Sequence, residues 1–391
     1  KNQYFDVNYR KKIKSFDKIL SIGDVVRVKE VKNKWRLSQI PNVNGALVSI
    51  DSNSGAISAL SGGYDYRLSK FNRVLQAKRQ PGSSFKPFIY SAALNKGYTP
   101  ASVINDAPKV FKENTVSGAW RPKNYGGKFF GPTRLRYGLA KSRNMISIRL
   151  LDSIGINYTL NYVKNFGVKT EKLPKDLTLA LGSGEITPIE LSEAYAYFSN
   201  GGFGIKPYII EQVRKRNNEI IYVENPVRVC GNPCDYVSMD TLQFPSAESV
   251  EEITELRKKA GLPRFATQTV DPRNIYQMVS MMKDVVKYGT ARKAKVLKRD
   301  DIAWGRRPMR QQEGWPEVVR VQRQRGRLVM RVGERACGDV VPLLLKQREA
   351  TCEMYRPLLQ SLCHTWATAG SWWCPTGVQE VHVAGNANVC E

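Results

Sequence analysis

The sequence lacks several features that would place a protein in a common class. No run of 18 apolar residues occurs in the chain, so no segment is expected to cross a membrane. Despite a net charge of +26, it contains no CxxC…HxxxH pattern, no recognition-helix signature and no RNP-like aromatic strand, so we do not expect it to bind nucleic acid. It has no signal peptide and does not begin with Met, and we expect it to be a piece of a longer protein.

The scarce residue types change abruptly at residue 304. Residues 1–303 contain 30 Lys and only two Cys, whereas residues 304–391 contain a single Lys, five Cys, both His and five of the seven Trp. A domain boundary can shift composition, but it rarely changes this many residue types at one point. We therefore expect residues 304–391 to differ in origin from the rest of the chain.

What is present is typical of a globular protein, since 391 residues with 42% apolar residues can bury a substantial core. Alternating apolar and polar residues in GDVVRVKEV and KWRLSQI predict short strands within residues 1–44, as in the end of a small β domain. GALVSI at 45–50 and the following AISALSGG predict two more strands, joined by a turn that contains Asp51, Asn53 and Gly55.

Apolar residues at helical spacing predict helices at 88–94, 135–155, 187–202 and 274–289. In the third of these, we expect Thr187 to cap the helix, Glu190 to complete a capping box and Gly201 to end it, with Pro188 at the first helical position. The fourth is expected to bury one apolar face, formed by Ile275, Met278, Val279, Met282, Val285 and Val286. Residues 212–270 are predicted to be an insertion or an irregular excursion, and no sustained period of either kind follows Trp304.

The stretch GSSFKPF at 82–88 places a hydroxyl and an amine three residues apart. On a helical turn, positions i and i+3 share a face, so Ser83 and Lys86 can meet. A serine needs a base within hydrogen-bond reach to act as a nucleophile, and a lysine serves as one where a desolvated, partly cationic pocket lowers its pKa. At a helix N-terminus, the Ser83 backbone N–H can also face a developing oxyanion. Alone, the tetrapeptide is a weak signal, because a serine near a lysine is usually ordinary surface.

The wider segment RQPGSSFKPFIYSAAL resembles the active-site serine segment of class A penicillin-binding proteins, the bifunctional peptidoglycan synthases, and most of all their 1A type. AKSRN supplies Ser142-Arg143-Asn144, which matches the second motif of that superfamily, S-x-N. WRPKNYGGKFFGPTRLR, LALGSGEITPIELSEAYAYFSNGG and VVKYGTARKA are similar to further family segments. The resemblance runs in order from about Gly23 to Ala303.

This resemblance implies an α+β fold, the penicillin-binding transpeptidase (serine β-lactamase-like) fold, with helices around an antiparallel sheet. It implies a serine D,D-transpeptidase in which Ser83 attacks the penultimate D-Ala carbonyl of a peptidoglycan stem peptide and Lys86 takes the Ser83 proton. Ser142 would relay a proton to the leaving amine, and Asn144 would hold Lys86 and the substrate amide. The less specific alternatives are that Ser142 is an ordinary helix cap and Asn144 a polar turn residue.

The resemblance also implies partners and a location. The partners would be peptidoglycan stem peptides and β-lactam antibiotics, which would acylate Ser83. Full-length family members are membrane-anchored, carry a glycosyltransferase domain, and work at the periplasmic face of the bacterial inner membrane. In that oxidising compartment, the spacing of Cys230 and Cys234 permits a disulfide. Two cysteines without a nearby histidine do not favour a metal site, and no cofactor is expected.

The third family motif is absent. The resemblance implies that the segment ending at Ala303 leads into a strand beginning Gly-Lys-Thr-Gly, which binds the substrate carboxylate and completes the oxyanion hole. Here the next residues are WGRRPM, and no K-T-G or K-S-G follows anywhere downstream. Codons can be chosen for residues 304–309 so that a shifted frame encodes Gly-Lys-Thr-Thr-Asn. We therefore hypothesise that the tail is translated out of frame, which also explains its loss of lysine and excess of cysteine and tryptophan.

We expect three parts. Residues 1–44 would be the remnant of a preceding OB-like β domain with a linker, 45–303 a transpeptidase domain that lacks its last strands, and 304–391 a poorly ordered tail unrelated to the family. The family's sheet has five antiparallel strands and only the two at about 45–61 precede the break, so an incomplete sheet with uncovered edges is expected. Without the K-T-G strand, we expect little or no activity.

Three other functions stay open. A non-catalytic relic or scaffold would keep the fold without the chemistry, and labelling by a β-lactam distinguishes it from an enzyme. A D,D-carboxypeptidase or β-lactamase-like hydrolase would share the motifs, but the long WRPKNYGG…GPTRLR segment and the preceding β-domain remnant disfavour it. A basic nucleic-acid binder is the most distant, and salt-dependent DNA binding would test it.

Overall fold

The computed structural model describes residues 20–38, 40, 44–112, 119–229 and 264–298, together with the backbone of four short strands between residues 304 and 383. Its first strands are β1 (Arg27–Val31), β2 (Lys34–Ser38), β3 (Gly45–Asp51), β4 (Ile57–Ser61), β5 (Val103–Asp106), β6 (Phe111–Lys112), β7 (Ala119–Trp120) and β8 (Gly131–Arg134). The later ones are β9 (Ile210–Lys215), β10 (Ile220–Val223), β11 (Val227–Arg228), β12 (Arg264–Phe265), β13 (Trp304–Gly305), β14 (Glu317–Gln324), β15 (Arg327–Glu334) and β16 (Val378–Val383).

The α-helices within the described residues are α1 (Lys86–Asn95), α2 (Leu135–Lys141), α3 (Asn144–Ile154), α4 (Ile156–Val163), α5 (Pro188–Asn200) and α6 (Pro272–Lys287). None of the helices in this part of the chain is both long and apolar enough to cross a membrane. The strands predicted within residues 1–44 are confirmed as an antiparallel hairpin of β1 and β2, whose turn residues Lys32 and Asn33 both have positive φ.

The central sheet has five strands in the order β13-β14-β15-β3-β4, and every neighbouring pair is antiparallel. The predicted strands β3 and β4 are confirmed. The expectation of an incomplete sheet is wrong, because residues between 304 and 334 supply the other three strands. Strand β15 pairs with β3 over seven residues, from Arg327 opposite Asp51 to Gly333 opposite Gly45, and this pairing joins the tail to the rest of the sheet.

The rest of the tail is described only at β16, which pairs with β9. The hairpin of β9 and β10 shows that the first part of 212–270 is regular strand, so the prediction of an irregular excursion is wrong there. Residues 230–263 lie outside the described residues, and so does the possible disulfide between Cys230 and Cys234. The predicted poor order of the tail and its out-of-frame origin likewise stay predictions.

The core lies between the sheet and a helical layer. On β3, alternate residues Ala46, Val48 and Ile50 are buried, and α5 packs on both β3 and β15. Helix α1 is buried along nearly its whole length, as expected of a helix that is apolar on all sides. An aromatic cluster of Phe88, Phe166, Tyr195 and Phe198 joins α1 to α5, with ring centroids 4.9–5.8 Å apart. This packing fixes α1, and with it the segment that precedes α1.

Helix ends match the predictions where the sequence signal lies within one turn of the helix end. The capping box of Thr187 and Glu190 is present, Pro188 begins α5 and Gly201 ends it in the left-handed conformation. The apolar face predicted for α6 is confirmed, with Val279 half-buried beside its five buried neighbours. The continuous helix predicted at 135–155 is wrong. The chain breaks between α2 and α3 at Ser142 and Arg143, and these two residues form part of the candidate site.

Candidate active site

Ser83 lies in a short 3-10 turn, Gly82–Phe85, that runs directly into α1. Gly82 has a φ of +55°, which permits the corner after Pro81, and Pro87 occupies the first turn of α1, where its missing N–H costs nothing. The Lys86 backbone N–H donates to the Ser83 carbonyl, so the two residues are one turn apart as predicted. Both side chains are buried.

Contacts from two other segments hold this turn. The Gly82 N–H donates to the Gly182 carbonyl (3.1 Å), and the Tyr195 hydroxyl donates to the Ser84 carbonyl (2.7 Å). Burial raises the pKa of the Tyr195 phenol, so its hydroxyl stays protonated and keeps donating. Gly182 itself has a φ of +73° and approaches so closely that a Cβ there would stand 2.0 Å from the Gly82 oxygen. The contacts from Gly182 and Tyr195 therefore hold the turn that carries Ser83.

The Lys86 ammonium joins the first motif to the second. Its Nζ donates to the Ser142 carbonyl (3.1 Å), the Ser142 hydroxyl (3.2 Å) and Asn144 Oδ1 (2.8 Å). Lys86 is 1% exposed, and lysines are almost never buried to this degree without partners. The structure thus brings Lys86, Ser142 and Asn144 into direct contact, and it places Ser83 one turn before Lys86.

Ser142 has φ 53° and ψ 50°, the left-handed conformation that non-glycine residues seldom adopt. This conformation ends α2, with the Ser142 N–H donating to the Leu139 carbonyl and the Arg143 N–H to the Gly138 carbonyl (both 2.9 Å). Such strain costs on the order of 1–3 kcal/mol and clusters at functional sites. Here it lets both the carbonyl and the hydroxyl of Ser142 reach Lys86, which a continuous helix would not allow.

Sequence reasoning missed the residues that hold this loop. Asn124 Oδ1 accepts from the backbone N–H groups of Asn144 (2.8 Å) and Met145 (3.2 Å), and the Lys123 carbonyl accepts from Asn144 Nδ2 (3.0 Å). Both Lys123 and Asn124 lie in WRPKNYGG at 120–127, a stretch that resembles the family but contains no catalytic motif. A single asparagine in a loop gives no local signal of burial, so its role could not be identified from the sequence.

Chemically, the site brings a primary amine, a hydroxyl and a carboxamide together beside a second buried hydroxyl. Such a set can move a proton between a serine nucleophile and a leaving group. No group of three His, Cys, Asp or Glu side chains converges as in a metal site anywhere in the described part of the chain. At the edge of the sheet, beside α6, β13 carries Trp304 and Gly305 in place of the K-T-G residues.

Comparison with known proteins gives a consistent assignment. The family model of the penicillin binding protein transpeptidase domain matches residues 45–303, and that of the penicillin-binding protein OB-like domain matches residues 2–43. Penicillin-binding protein 1A of Pseudomonas aeruginosa is 41% identical over 300 residues, 73% of this chain and 36% of that protein. Its counterpart in Neisseria meningitidis is 41% identical over 282 residues, 72% of this chain and 31% of that protein.

Solved structures agree with this. The crystal structure of penicillin-binding protein 1A from Haemophilus influenzae aligns with a TM-score of 0.67 and 28% identity, covering 92% of this chain and 56% of that one. Penicillin-binding protein A from M. tuberculosis, a ceftriaxone acyl-enzyme complex, shares the fold with a TM-score of 0.53 and 17% identity, covering 74% of this chain and 68% of that one. The chain spans about a third of the length of the curated relatives it matches. It belongs to the penicillin-binding protein transpeptidase family and resembles its 1A type.

Proposed function

We propose that this chain carries a peptidoglycan D,D-transpeptidase site in which Ser83 is the nucleophile. The observation that supports it most is the buried Lys86 amine, which contacts Ser142 and Asn144 and lies one helical turn after Ser83. A buried amine that contacts one serine and lies one helical turn from another is an arrangement that serine activation can use.

The reaction assigns one task to each side chain. In its neutral amine form, Lys86 removes the Ser83 proton and becomes an ammonium, while Ser83 Oγ attacks the carbonyl carbon of the penultimate D-Ala in a stem peptide. The peptide C–N bond breaks, and the terminal D-Ala leaves with a proton passed from Lys86 through the Ser142 hydroxyl. The Ser83 ester is then attacked by an amine of a neighbouring stem, which forms the cross-link and returns a proton to Ser83. Asn144 holds Lys86 and the substrate amide throughout.

The substrates and location follow from the same proposal. Peptidoglycan stem peptides would be the acyl donor and acceptor, and β-lactams would acylate Ser83 in their place. The full-length protein would be anchored at the periplasmic face of the inner membrane and carry a glycosyltransferase domain. No nucleic acid or cofactor takes part.

The missing K-T-G motif limits this activity. The tail supplies strands to the sheet, but WGRRPM supplies neither the lysine nor the threonine that the family uses. Without the threonine the substrate carboxylate loses its binding group, and without the lysine the S-x-N serine loses the positive charge beside it. Loss of one such transition-state contact typically costs about 10²–10³ in rate. We therefore propose that acylation of Ser83 is slow. The same observation favours a second candidate function, a non-catalytic scaffold with the transpeptidase fold.

Labelling with a fluorescent penicillin tests the proposal and separates the two candidates. The parent chain should be labelled slowly and Ser83→Ala not at all. Ser84→Ala removes a buried hydroxyl from the same turn and should label like the parent. Labelling that persists in Ser83→Ala would contradict the assignment of the nucleophile. A folded parent that takes no label would favour the scaffold.

The out-of-frame origin of the tail is tested separately by the coding sequence. We expect a shifted frame to encode Gly-Lys-Thr directly after Ala303. The chain made in that frame should be labelled about 10²–10³ times faster than the parent. A coding sequence without these residues in either shifted frame would contradict the hypothesis.

A further inference from the structure

Asn124 is a buried residue whose side chain hydrogen-bonds to the start of α3, next to the residues that contact Lys86. It is 5% exposed, and its side-chain amide makes four hydrogen bonds. Oδ1 accepts from the backbone N–H groups of Asn144 and Met145, while Nδ2 donates to Asp106 Oδ1 (2.6 Å) and the Lys128 carbonyl (3.0 Å). Since an asparagine side chain offers two donor hydrogens and an oxygen with two lone pairs, its capacity is fully used. The partners also fix which end of the amide is oxygen.

The two bonds of Asn124 Oδ1 act as a helix cap supplied from elsewhere in the chain. Helix α3 begins at Asn144, and its own N-cap residue, Arg143, provides no side-chain hydrogen bond. The first N–H groups of a helix have no partner within the helix, and a local Ser, Thr, Asp or Asn normally accepts from one of them. Asn124, 20 residues earlier, takes that place for two of them. The first turn of α3 is therefore held by the 123–124 segment.

The same segment orients the Asn144 side chain. The Lys123 carbonyl accepts from Asn144 Nδ2 at 3.0 Å, which leaves Asn144 Oδ1 facing Lys86 Nζ at 2.8 Å. Rotation of the amide by half a turn would set Nδ2 against the Lys86 ammonium and Oδ1 against a carbonyl, so it is disfavoured at both ends. Residues 123 and 124 thus fix the backbone and the side chain of Asn144 together.

Behind Asn124 lies a fully buried carboxylate. Asp106 at the end of β5 is 0% exposed; its Oδ1 accepts from Asn124, and its Oδ2 lies 3.8 Å from Arg143 Nε. The Arg143 guanidinium in turn lies 3.5 Å from the centre of the Phe130 ring. A buried carboxylate with a hydrogen-bonded partner is costly to disturb, so Asp106 restrains the Nδ2 end of the Asn124 side chain.

We infer that Asn124 is a positioning residue that holds the Ser142–Asn144 loop against Lys86. Its effect on acylation rests on the proposed function, whereas its effect on the loop does not. Loss of the Asn124 side chain should free the first turn of α3, lower the precision with which Asn144 meets Lys86, and so slow the chemical step more than it weakens penicillin binding.

The test compares Asn124→Ala with a matched control, Asn200→Ala. Asn200 is also buried (9% exposed), and its amide also makes four hydrogen bonds, to Ser52, Gly202 and Phe203 at the end of α5. Both variants should lose similar stability. Hydrogen–deuterium exchange of the amides in 142–147 should accelerate on the order of tenfold in Asn124→Ala alone. Where the parent is labelled by penicillin, the acylation rate constant should fall in that variant and not in the control.

If Asn124→Ala does not fold, Asn124→Asp serves as a second test variant. It has nearly the same size and retains the acceptor for α3, but it faces Asp106 with an oxygen instead of an N–H group. Exchange in 142–147 should lie between that of the parent and that of Asn124→Ala. Parent-like exchange in the Asn124 variants, or equal acceleration in Asn200→Ala, would overturn the inference. If penicillin does not label the parent, that result counts against the proposed function. The hydrogen–deuterium exchange measurement still decides whether Asn124 holds the Ser142–Asn144 loop.

Discussion

The central sheet joins two parts of the chain that differ in what they bring to the site. Strands β3 and β4 lie within the family-matched residues 45–303, whereas β13, β14 and β15 follow them. Strand β15 pairs with β3 along the whole of β3, from Gly333 opposite Gly45 to Arg327 opposite Asp51. The matched part carries S-x-x-K and S-x-N with their contacts in place, and the tail carries backbone pairing without K-T-G. Many different sequences can form a strand that pairs within a sheet, whereas catalysis needs particular side chains at particular positions.

Proline substitutions at two paired residues, one in β3 and one in β15, test whether the tail strands stabilise the sheet. Leu47 in β3 stands opposite Arg331 in β15, and both strands are interior to the sheet. Proline removes a backbone donor and is not tolerated in central strands, so Leu47→Pro and Arg331→Pro should each lower the free energy of unfolding by roughly 3 kcal/mol or more. Thermal unfolding followed by circular dichroism measures both. A parent-like Tm for Arg331→Pro beside an unfolded Leu47→Pro would mean that the sheet stands without the tail.

The sequence predicted those elements whose signals are local. The capping box of Thr187 and Glu190 lies within one turn, and the apolar face of α6 repeats at helical spacing. The Ser83–Lys86 turn is similar, because i and i+3 need only one helical turn to meet. The four candidate residues were chosen from motifs, and three of them are in direct contact.

What the sequence could not predict depends on distant contacts. The break at Ser142 occurs in a run with good helical spacing, and it is held by Lys86 from 56 residues earlier and by the Thr290 N–H, which donates to the Ala140 carbonyl. Asn124 caps a helix that starts 20 residues later. Apolar and polar residues alternate only briefly in the tail, and its strand β15 pairs with β3, which lies far earlier in the sequence. Tertiary partners of this kind override local propensity in each case.

A methyl group at Gly182 tests whether the close contact between Gly182 and Gly82 positions Ser83 in the family-matched part of the chain. In Gly182→Ala, the new Cβ would stand 2.0 Å from the Gly82 carbonyl oxygen, and the turn that carries Ser83 must shift because the atoms that the Cβ meets are all backbone atoms of Gly82. We expect a loss of stability of about 1–3 kcal/mol together with penicillin labelling at least tenfold slower.

Gly127→Ala is the control for backbone strain alone. Gly127 has the same φ, +73°, and a Cβ there would meet nothing within 4 Å. It should cost about 1 kcal/mol and leave the labelling rate close to that of the parent. Equal labelling in the two variants would mean that contact with Gly182 does not position Ser83.

The smallest effect is expected at Ser142, where strain and chemistry can be separated. Ser142→Ala and Ser142→Gly both remove the hydroxyl that accepts from Lys86, and both should slow penicillin labelling to the same extent. They differ in the left-handed conformation at φ 53°, which glycine adopts without penalty and alanine does not. Ser142→Gly should therefore be the more stable of the two by about 1 kcal/mol in chemical denaturation. Equal stability would mean that the loop relaxes once the hydroxyl is gone, in which case the contact with Lys86, and not the ends of α2 and α3, holds Ser142 in its strained conformation.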